Sequence, residues 1–484
     1  MMLAFYSIVT AIVAFVVTSK VSKDNSLVLY FATILYCFGN YRLFDVYARS
    51  SFGEIFAFIF IPIIFYATYK LVILKEDAFM SLGIGFALLA MSHNISFALY
   101  CFLFGIFMIF HYLYTFLFDK DNVHELKKLT ISILNAVGIA LLLSAWYLIP
   151  MFEQFLDQEF LVNQVSLMYD LSERLLPITA VLNPLAIIDG IDRFIDHIIN
   201  IGYILLFMPL IYIFIYKKSK NRYITFLTIL GYLLILMVIG IIPIHKLEFL
   251  TFIQFLFRLY ILIYPILSVV CIYIFGQLES MNKNKLCKII LVVAAIYSVF
   301  NCVLIQVGAM QSDSLINNND TREKIYDFSK EAAHRDHNGL EISAGEYLPT
   351  TEIVDYLEET TFIKEITDDG YLDIIYDFER QFTEISFTYD NPDERKMVML
   401  PQTYYKGYQA YELIDGKEVP IETINNPTYK KVSFYVDSGT HTYVCRYQGT
   451  LVQNITLIIS STTLVLIVAY YIYQECRNRK VARI

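Results

Sequence analysis

The stretch YRLFDVYARSSFGEIFAFIFIPIIF, residues 41–65, carries Arg42, Asp45, Arg49 and Glu54 in its first fourteen positions and no charge after them. From residue 52 to residue 69 the chain approaches the roughly 20 apolar residues that cross a hydrocarbon core. A charged head running directly into an apolar span places this segment at the edge of a membrane.

The rest of the chain follows the same pattern. Of 484 residues, 57% are hydrophobic and 17% charged, whereas globular chains average roughly 45–50% apolar and about 25% charged. With a mean hydropathy of +0.53, a soluble globular or disordered protein is excluded. Apolar runs predict spans near 2–19, 52–69, 78–92, 95–118, 129–149, 198–216, 223–243, 259–276, 286–306 and 453–473. The run 26–38 is short of a full span and is read either as re-entrant or as crossing with help from a thinned bilayer. If it crosses, residue 1 lies outside, which implies a helix and outer loop upstream of Met1. The fold class expected is an α-helical polytopic membrane protein of about ten or eleven transmembrane helices.

Lysines and arginines near helix ends mark the cytoplasmic side. Arg477, Arg479, Lys480 and Arg483 place the C terminus inside. Counting back puts Lys283, Lys285, Lys288, Lys217, Lys218, Lys220, Arg222, Lys120, Lys127, Lys128, Lys70 and Lys75 inside as well. The protein is therefore expected in the cell membrane as a multi-pass chain with its polar domain outside. Four parts are expected: a transmembrane domain at 1–306, an extracytoplasmic domain at 307–452, a last helix at 453–473 and a basic cytoplasmic tail at 474–484.

The net charge of −9 is concentrated in that polar domain, so a basic nucleic-acid-binding surface is not on offer. From Thr321 to about Glu359 it reads as a small, partly helical segment. Alternation then predicts strands in DIIYDF, EISFTYD, KMVMLPQTYY, YQAYELI, KKVSFYV and THTYVCRY, with a hairpin turn at Asp415-Gly416. About 100 residues of antiparallel β-sandwich follow from this reading. Its Tyr and Phe residues serve either packing or a glycan-stacking platform. Of the seven cysteines only Cys445 lies in the polar domain, which predicts neither a disulfide framework nor a zinc cluster.

Candidate chemistry collects at the outer ends of the spans. Glu54 sits one turn into an apolar helix, where an ionised carboxylate needs a partner or a wet cavity. Arg42 and Asp45, three apart, and Asp45 and Arg49, four apart, share a helical face. They form either an internal salt-bridge cluster or a phosphate clamp, for which the planar arginine fork is suited. His93 in MSHNIS, at a tight outer turn, can shuttle a proton or bind a metal, or is a capped structural residue. Gln254 and Arg258 in IQFLFRLYI give either a snorkelling arginine or a second phosphate contact. The acidic connection from Pro150 to His197 reads as interfacial helices, either a lid or a shield. No nucleotide-binding, hydrolase or zinc-protease motif is present, so no cofactor is expected, and a divalent metal has no ligand motif to support it.

These motifs together resemble the large bacterial multi-spanning proteins of the YfhO type, including those labelled 6-pyruvoyl-tetrahydropterin-synthase-related. Residues 41–65, LAMSHNIS, AWYLIPMFEQ, IQFLFRLYI, EYLPT at 346–350 and YYKGYQAYELIDGKEVPI with SGTHTYVCRYQGT carry the resemblance, in that order. It implies a GT-C-like fold that transfers sugar outside the cytoplasm. The partners implied are membrane lipids, a polyprenyl-phosphate-linked sugar as donor and a cell-envelope polymer or lipid as acceptor. Carried over residue by residue, Arg42, Arg49, Glu54, His93 and Arg258 match the family's polar positions, without individual roles. Taken with the reading of the residues themselves, Asp45, Glu54 and His93 stand as catalytic candidates, and Arg42, Arg49, Gln254 and Arg258 as substrate-binding ones. One departure matters: GT-C enzymes carry an acidic residue in a first outer loop, and this sequence begins after that element. The alternative is a non-enzymatic membrane protein, a transporter of lipid-linked intermediates or an inactive or truncated subunit.

Overall fold

The structure, a computed structural model, describes residues 2–22, 25–49, 51–160, 171, 175–182, 199–217, 220–311, 363–367, 370–375, 378–392 and 394–481. The expected segment from Thr321 to Glu359, the EYLPT motif, and Asp170, Glu173, Asp189, Asp192 and Asp196 lie outside the described residues. The chain divides into two compact units, Met1–Ser144 with Ser166–Asn319, and Ala145–Val165 with Asp320–Ile484.

Among the described residues, seven helices are long and apolar enough to cross a membrane: Met2–Ser22, Phe52–Leu74, Asn94–Phe118, Lys120–Asp157, Leu256–Ser280, Asn284–Val307 and Leu451–Arg477. The pair Ser26–Cys37 and Asn40–Arg49, bent by 42°, makes an eighth if it is one broken span. Three shorter apolar helices, Phe79–Ser92, Tyr203–Ile215 and Arg222–Val238, fill the remaining apolar runs. Local chemistry cuts them short. Gly202 enters the second at φ +84, and Gly240 at φ +78, followed by Pro243, closes the third.

The helix Leu256–Ser280 lies at the centre of the first unit, with 78% of its apolar window buried. A helix that is apolar all round needs neighbours on every side. Phe275 stacks on Phe31 with centroids 4.3 Å apart, and Leu267 packs where Gly231 leaves room for no side chain.

In the second unit, the part from Ala145 of the helix Val123–Asp157 passes through Pro150 and ends eight residues beyond the predicted span end at 149. Proline removes only one helical hydrogen bond, and the flanking segment is held by tertiary bonds. The Gln154 amide both donates to the Lys406 carbonyl (2.8 Å) and accepts from its N–H (3.0 Å). Glu153 accepts from Thr450 Oγ1 at 2.6 Å, and Gln158 donates to the Tyr404 carbonyl at 2.9 Å.

The β region consists of β1 (Ile363–Thr367), β2 (Gly370–Ile375), β3 (Glu379–Gln381), β4 (Glu384–Asn391), β5 (Lys396–Thr403), β6 (Tyr408–Ile414), β7 (Lys417–Ile421), β8 (Ile424–Asn425), β9 (Lys431–Val436) and β10 (Gly439–Tyr447). They form two antiparallel five-stranded sheets, ordered β2-β1-β5-β9-β8 and β3-β4-β10-β6-β7. Alternate residues point into one core: Ile385 and Phe387, Val398 and Leu400, Val432, Phe434 and Val436, and Tyr443 with Cys445. Ile414 pairs with Lys417 across Asp415-Gly416, both at positive φ, as a two-residue primed turn requires.

Candidate functional site

The site begins at a helix break. Gly39 separates Ser26–Cys37 from Asn40–Phe44, and any Cβ there would overlap the Tyr264 ring. A helix end leaves carbonyls without partners. Tyr264 Oη donates to the carbonyls of Leu35 and, at 2.5 Å, of Tyr36, while Arg42 Nη1 donates to that of Cys37 at 2.7 Å. Arg42 also reaches Ser7 Oγ at 3.2 Å. It thus caps a helix C-terminus, where a cation also meets the negative end of the helix dipole, and stands apart from the other charged candidates.

Beyond the break, the helix widens into a π turn over Asp45–Arg49 and is followed by the helix from Phe52. Asp45 and Arg49 remain neighbours, with Oδ1 to Nη1 3.3 Å, as the four-residue spacing predicts. Glu54, in the first turn of the next helix, is 1% exposed and takes three donors. Tyr41 Oη binds Oε2 at 2.7 Å, and Arg49 Nη1 at 2.5 Å and Arg258 Nε at 3.1 Å converge on Oε1. Two arginines thus face two buried carboxylates. This balance is what low-dielectric surroundings demand, since an uncompensated buried charge is costly. Asp45 is fully buried, its Oδ2 accepts from no donor among the described residues, and its carboxyl group lies against that of Glu54.

Arg258 is delivered by a strained turn. Gln254 has φ +64 and ψ −41, and Phe255 N–H bonds the Ile253 carbonyl at 2.7 Å across it. This is the γ-turn hand that side chains disfavour. The turn directs the Ile253 carbonyl (3.0 Å) and the Gln254 side-chain oxygen onto Arg258 Nη1. Phe255 lies against both guanidinium groups, 5.8 Å from Arg49 and 5.1 Å from Arg258, and Phe257 is 5.3 Å from Arg49. Aromatic faces attract such cations.

His93 stands at the edge of this group. Its Nδ1 accepts the Ser96 N–H (3.2 Å), capping the helix Asn94–Phe118, and pairs with Ser96 Oγ at 2.7 Å. A backbone N–H can only donate, so neutral His93 carries its proton on Nε2. The ring lies against Gly53, where an added Cβ would sit 2.9 Å from Cδ2.

The structure therefore brings together Asp45, Arg49, Glu54, Gln254 and Arg258, with His93 beside them, and sets Arg42 elsewhere. Sequence reasoning passed over Tyr41, Phe255 and Phe257. Tyr41 stands four residues before Asp45, a spacing that could have flagged it. Among the described residues no three His, Cys, Asp or Glu side chains converge on a metal-sized site. Chemically, the cluster offers cationic hydrogen-bond donors and two adjoining carboxyl groups, Asp45 and Glu54, beside the first turn of a membrane-length helix.

The spans and the two sheets define an integral, multi-pass helical membrane protein with a two-sheet antiparallel β domain before its last helix. Compared with protein-family models, curated proteins and solved structures, the chain gives no match.

Proposed function

We propose that this protein is a GT-C-like glycosyltransferase of the YfhO type that moves a sugar from a polyprenyl-phosphate donor to a cell-envelope acceptor on the outer face of the membrane. The observation that carries the reading is the convergence of Arg49 and Arg258 at the end of a membrane-length helix, beside an Asp45 oxygen that accepts from no donor among the described residues. Only one nitrogen of Arg49 is engaged among the described residues, so its fork keeps donors for a phosphate. In the reaction, an acceptor hydroxyl oxygen bonds the anomeric carbon as the bond from that carbon to the phosphate oxygen breaks. The hydroxyl proton passes to Asp45 Oδ2. The two arginines stabilise the departing lipid phosphate, as preorganised charge does where negative charge develops. Glu54, occupied by three donors, is a positioning residue, and Gln254 holds Arg258 in place. His93, with Nε2 as donor, serves the acceptor or the phosphate in this reading.

A second reading has its own support. Both arginines are already bound to Glu54, as in a closed structural lock, which fits a non-enzymatic membrane protein or a transporter of lipid-linked intermediates. Purified protein in vesicles, supplied with a polyprenyl-phosphate sugar and an envelope acceptor, separates the two. Sugar transfer that falls in folded Asp45→Asn and Arg49→Gln variants supports the transferase. Movement of the lipid across the vesicle without transfer supports the second.

A further inference from the structure

The helix Phe52–Leu74 begins at the cluster around Glu54, and its far end opens onto a cavity of about 480 Å³. The roughly 20 residues between Glu54 and that end rise about 30 Å, one hydrocarbon thickness. The cavity has a polar floor and an apolar side. Thr115, Ser132 and His111 line it at 2%, 8% and 8% exposure, and Leu71, Val72 and Leu129 are its buried apolar residues. His111 Nδ1 is bonded to Tyr223 Oη at 3.0 Å, whereas Thr115 Oγ1 has no partner among the described residues. A buried hydroxyl without a partner calls for a ligand or a water.

Two of the acids at the rim are paired with a lysine or arginine, and the other two meet a backbone N–H and a histidine. Glu76 pairs with Lys70 at 3.1 Å, Asp119 with Arg222 at 3.4 Å and with Asn122 at 2.8 Å, and Glu125 with His124 at 3.3 Å. Asp77 accepts from Phe79 N–H at 3.3 Å. Four cations, Lys75, Lys128, Lys220 and Arg222, stand against the four acids of the lining, and they are not all spent on them. Lys75 bonds the neutral Asn122 amide and lies within electrostatic reach of Asp119, and among the described residues Lys128 and Lys220 have no carboxylate partner. Arg222 forms a rigid wall, 4.1 Å over the Tyr114 ring and bonded to Tyr223 Oη at 2.9 Å.

We propose that this cavity binds a phosphate group at the membrane edge one bilayer thickness from the Glu54 cluster, with Lys75, Lys128, Lys220 and Arg222 around the anion and Thr115 donating to it from below. The apolar side favours a phosphate carried on a lipid, whose chains leave along Leu71, Val72 and Leu129. Basic pockets between spans hold anionic headgroups in this way. The site is independent of the transferase reading.

The test is calorimetric titration of the purified full chain with dihexanoyl phosphatidic acid, inorganic phosphate and, as the neutral-headgroup control, dihexanoyl phosphatidylcholine. Phosphatidic acid is expected to bind saturably, with inorganic phosphate competing more weakly. Lys128→Gln with Lys220→Gln, both exposed positions, is expected to weaken binding roughly tenfold or more, two charges each adding to the attraction. Thr115→Val should weaken it too, with an unchanged melting temperature for the lysine pair and an unchanged affinity for Arg49→Gln. Inorganic phosphate binding as tightly as phosphatidic acid would keep the anion site and assign it to a free phosphate. No saturable binding of either anion, equal binding of phosphatidylcholine, or full affinity in the folded lysine variant overturns the proposal.

Discussion

Glu54 and Arg258 stand 204 residues apart in the chain and meet with Nε 3.1 Å from Oε1, inside a region where neither carries enough exposure to be solvated. Removing the carboxylate leaves Arg258 without its carboxylate and Arg49 with Asp45 alone. Glu54→Ala is expected to cost about 3–5 kcal/mol of stability, the usual penalty of breaking a buried ion pair. Thermal unfolding in detergent checks this, and a double-mutant cycle with Arg258→Gln should recover part of the loss, because the two charges are compensated together. Additive losses would show that the pair is not coupled.

Gly39 carries a separate and sharper demand. The Tyr264 ring occupies the space a Cβ needs, and its hydroxyl holds the carbonyls of Leu35 and Tyr36. Gly39→Ala should destabilise by about 1–3 kcal/mol through overpacking. Tyr264→Phe should destabilise as well, by leaving those carbonyls unbonded, and its melting temperature measured beside that of Gly39→Ala reads both effects.

The turn at Gln254 makes a prediction of rank order. With φ +64, glycine at 254 relieves backbone strain while losing the contact to Arg258, alanine loses the contact and keeps the strain, and valine worsens the strain. Stability should fall in the order glycine, alanine, valine. A valine variant as stable as glycine would show that the backbone is not strained there.

Sequence made part of this visible. Long apolar runs and strict alternation report burial directly, so the spans, the strands and the Asp415-Gly416 hairpin were legible. So were Asp45, Arg49, Glu54 and Arg258 as charges that need partners. What was not legible depends on distant chain. Arg42 looked like a partner for Asp45 three residues on, but the break at Gly39 leaves a bare Cys37 carbonyl, and Arg42 turns to it. The break itself is fixed by Tyr264, more than 220 residues away. Pro150 looked like a helix end, but the side-chain bonds from Glu153, Gln154 and Gln158 continue the helix past it.

In the β domain, His441 responds to pH. Its Nε2 donates to the Ser438 carbonyl at 3.0 Å and Nδ1 to Glu412 at 2.5 Å. The Ser438 hydrogen bond chiefly, with the Glu412 carboxylate adding to it, raises its pKa above the usual histidine value. A folded value above the unfolded one means the stabilisation is fully present below about pH 6.5. It is lost as pH rises through the folded value. Hydrogen exchange of β10 in the intact protein should therefore be slower at pH 5.5 than at pH 8.5 after correction for intrinsic rates, and His441→Gln should remove the difference. An unchanged difference in His441→Gln would assign the effect to another group.

The account turns on whether the Asp45 and Arg49 cluster performs transfer. The measurement that tests it most directly is the rate at which purified, reconstituted protein moves labelled sugar from a polyprenyl-phosphate donor to an envelope acceptor, in the native chain and in folded Arg49→Gln and Asp45→Asn variants. The account predicts transfer by the native chain and a loss of roughly a hundredfold or more in each variant, the scale of removing one preorganised donor or the proton acceptor. Full transfer by either folded variant, or none by the native chain with donor and acceptor present, would contradict it.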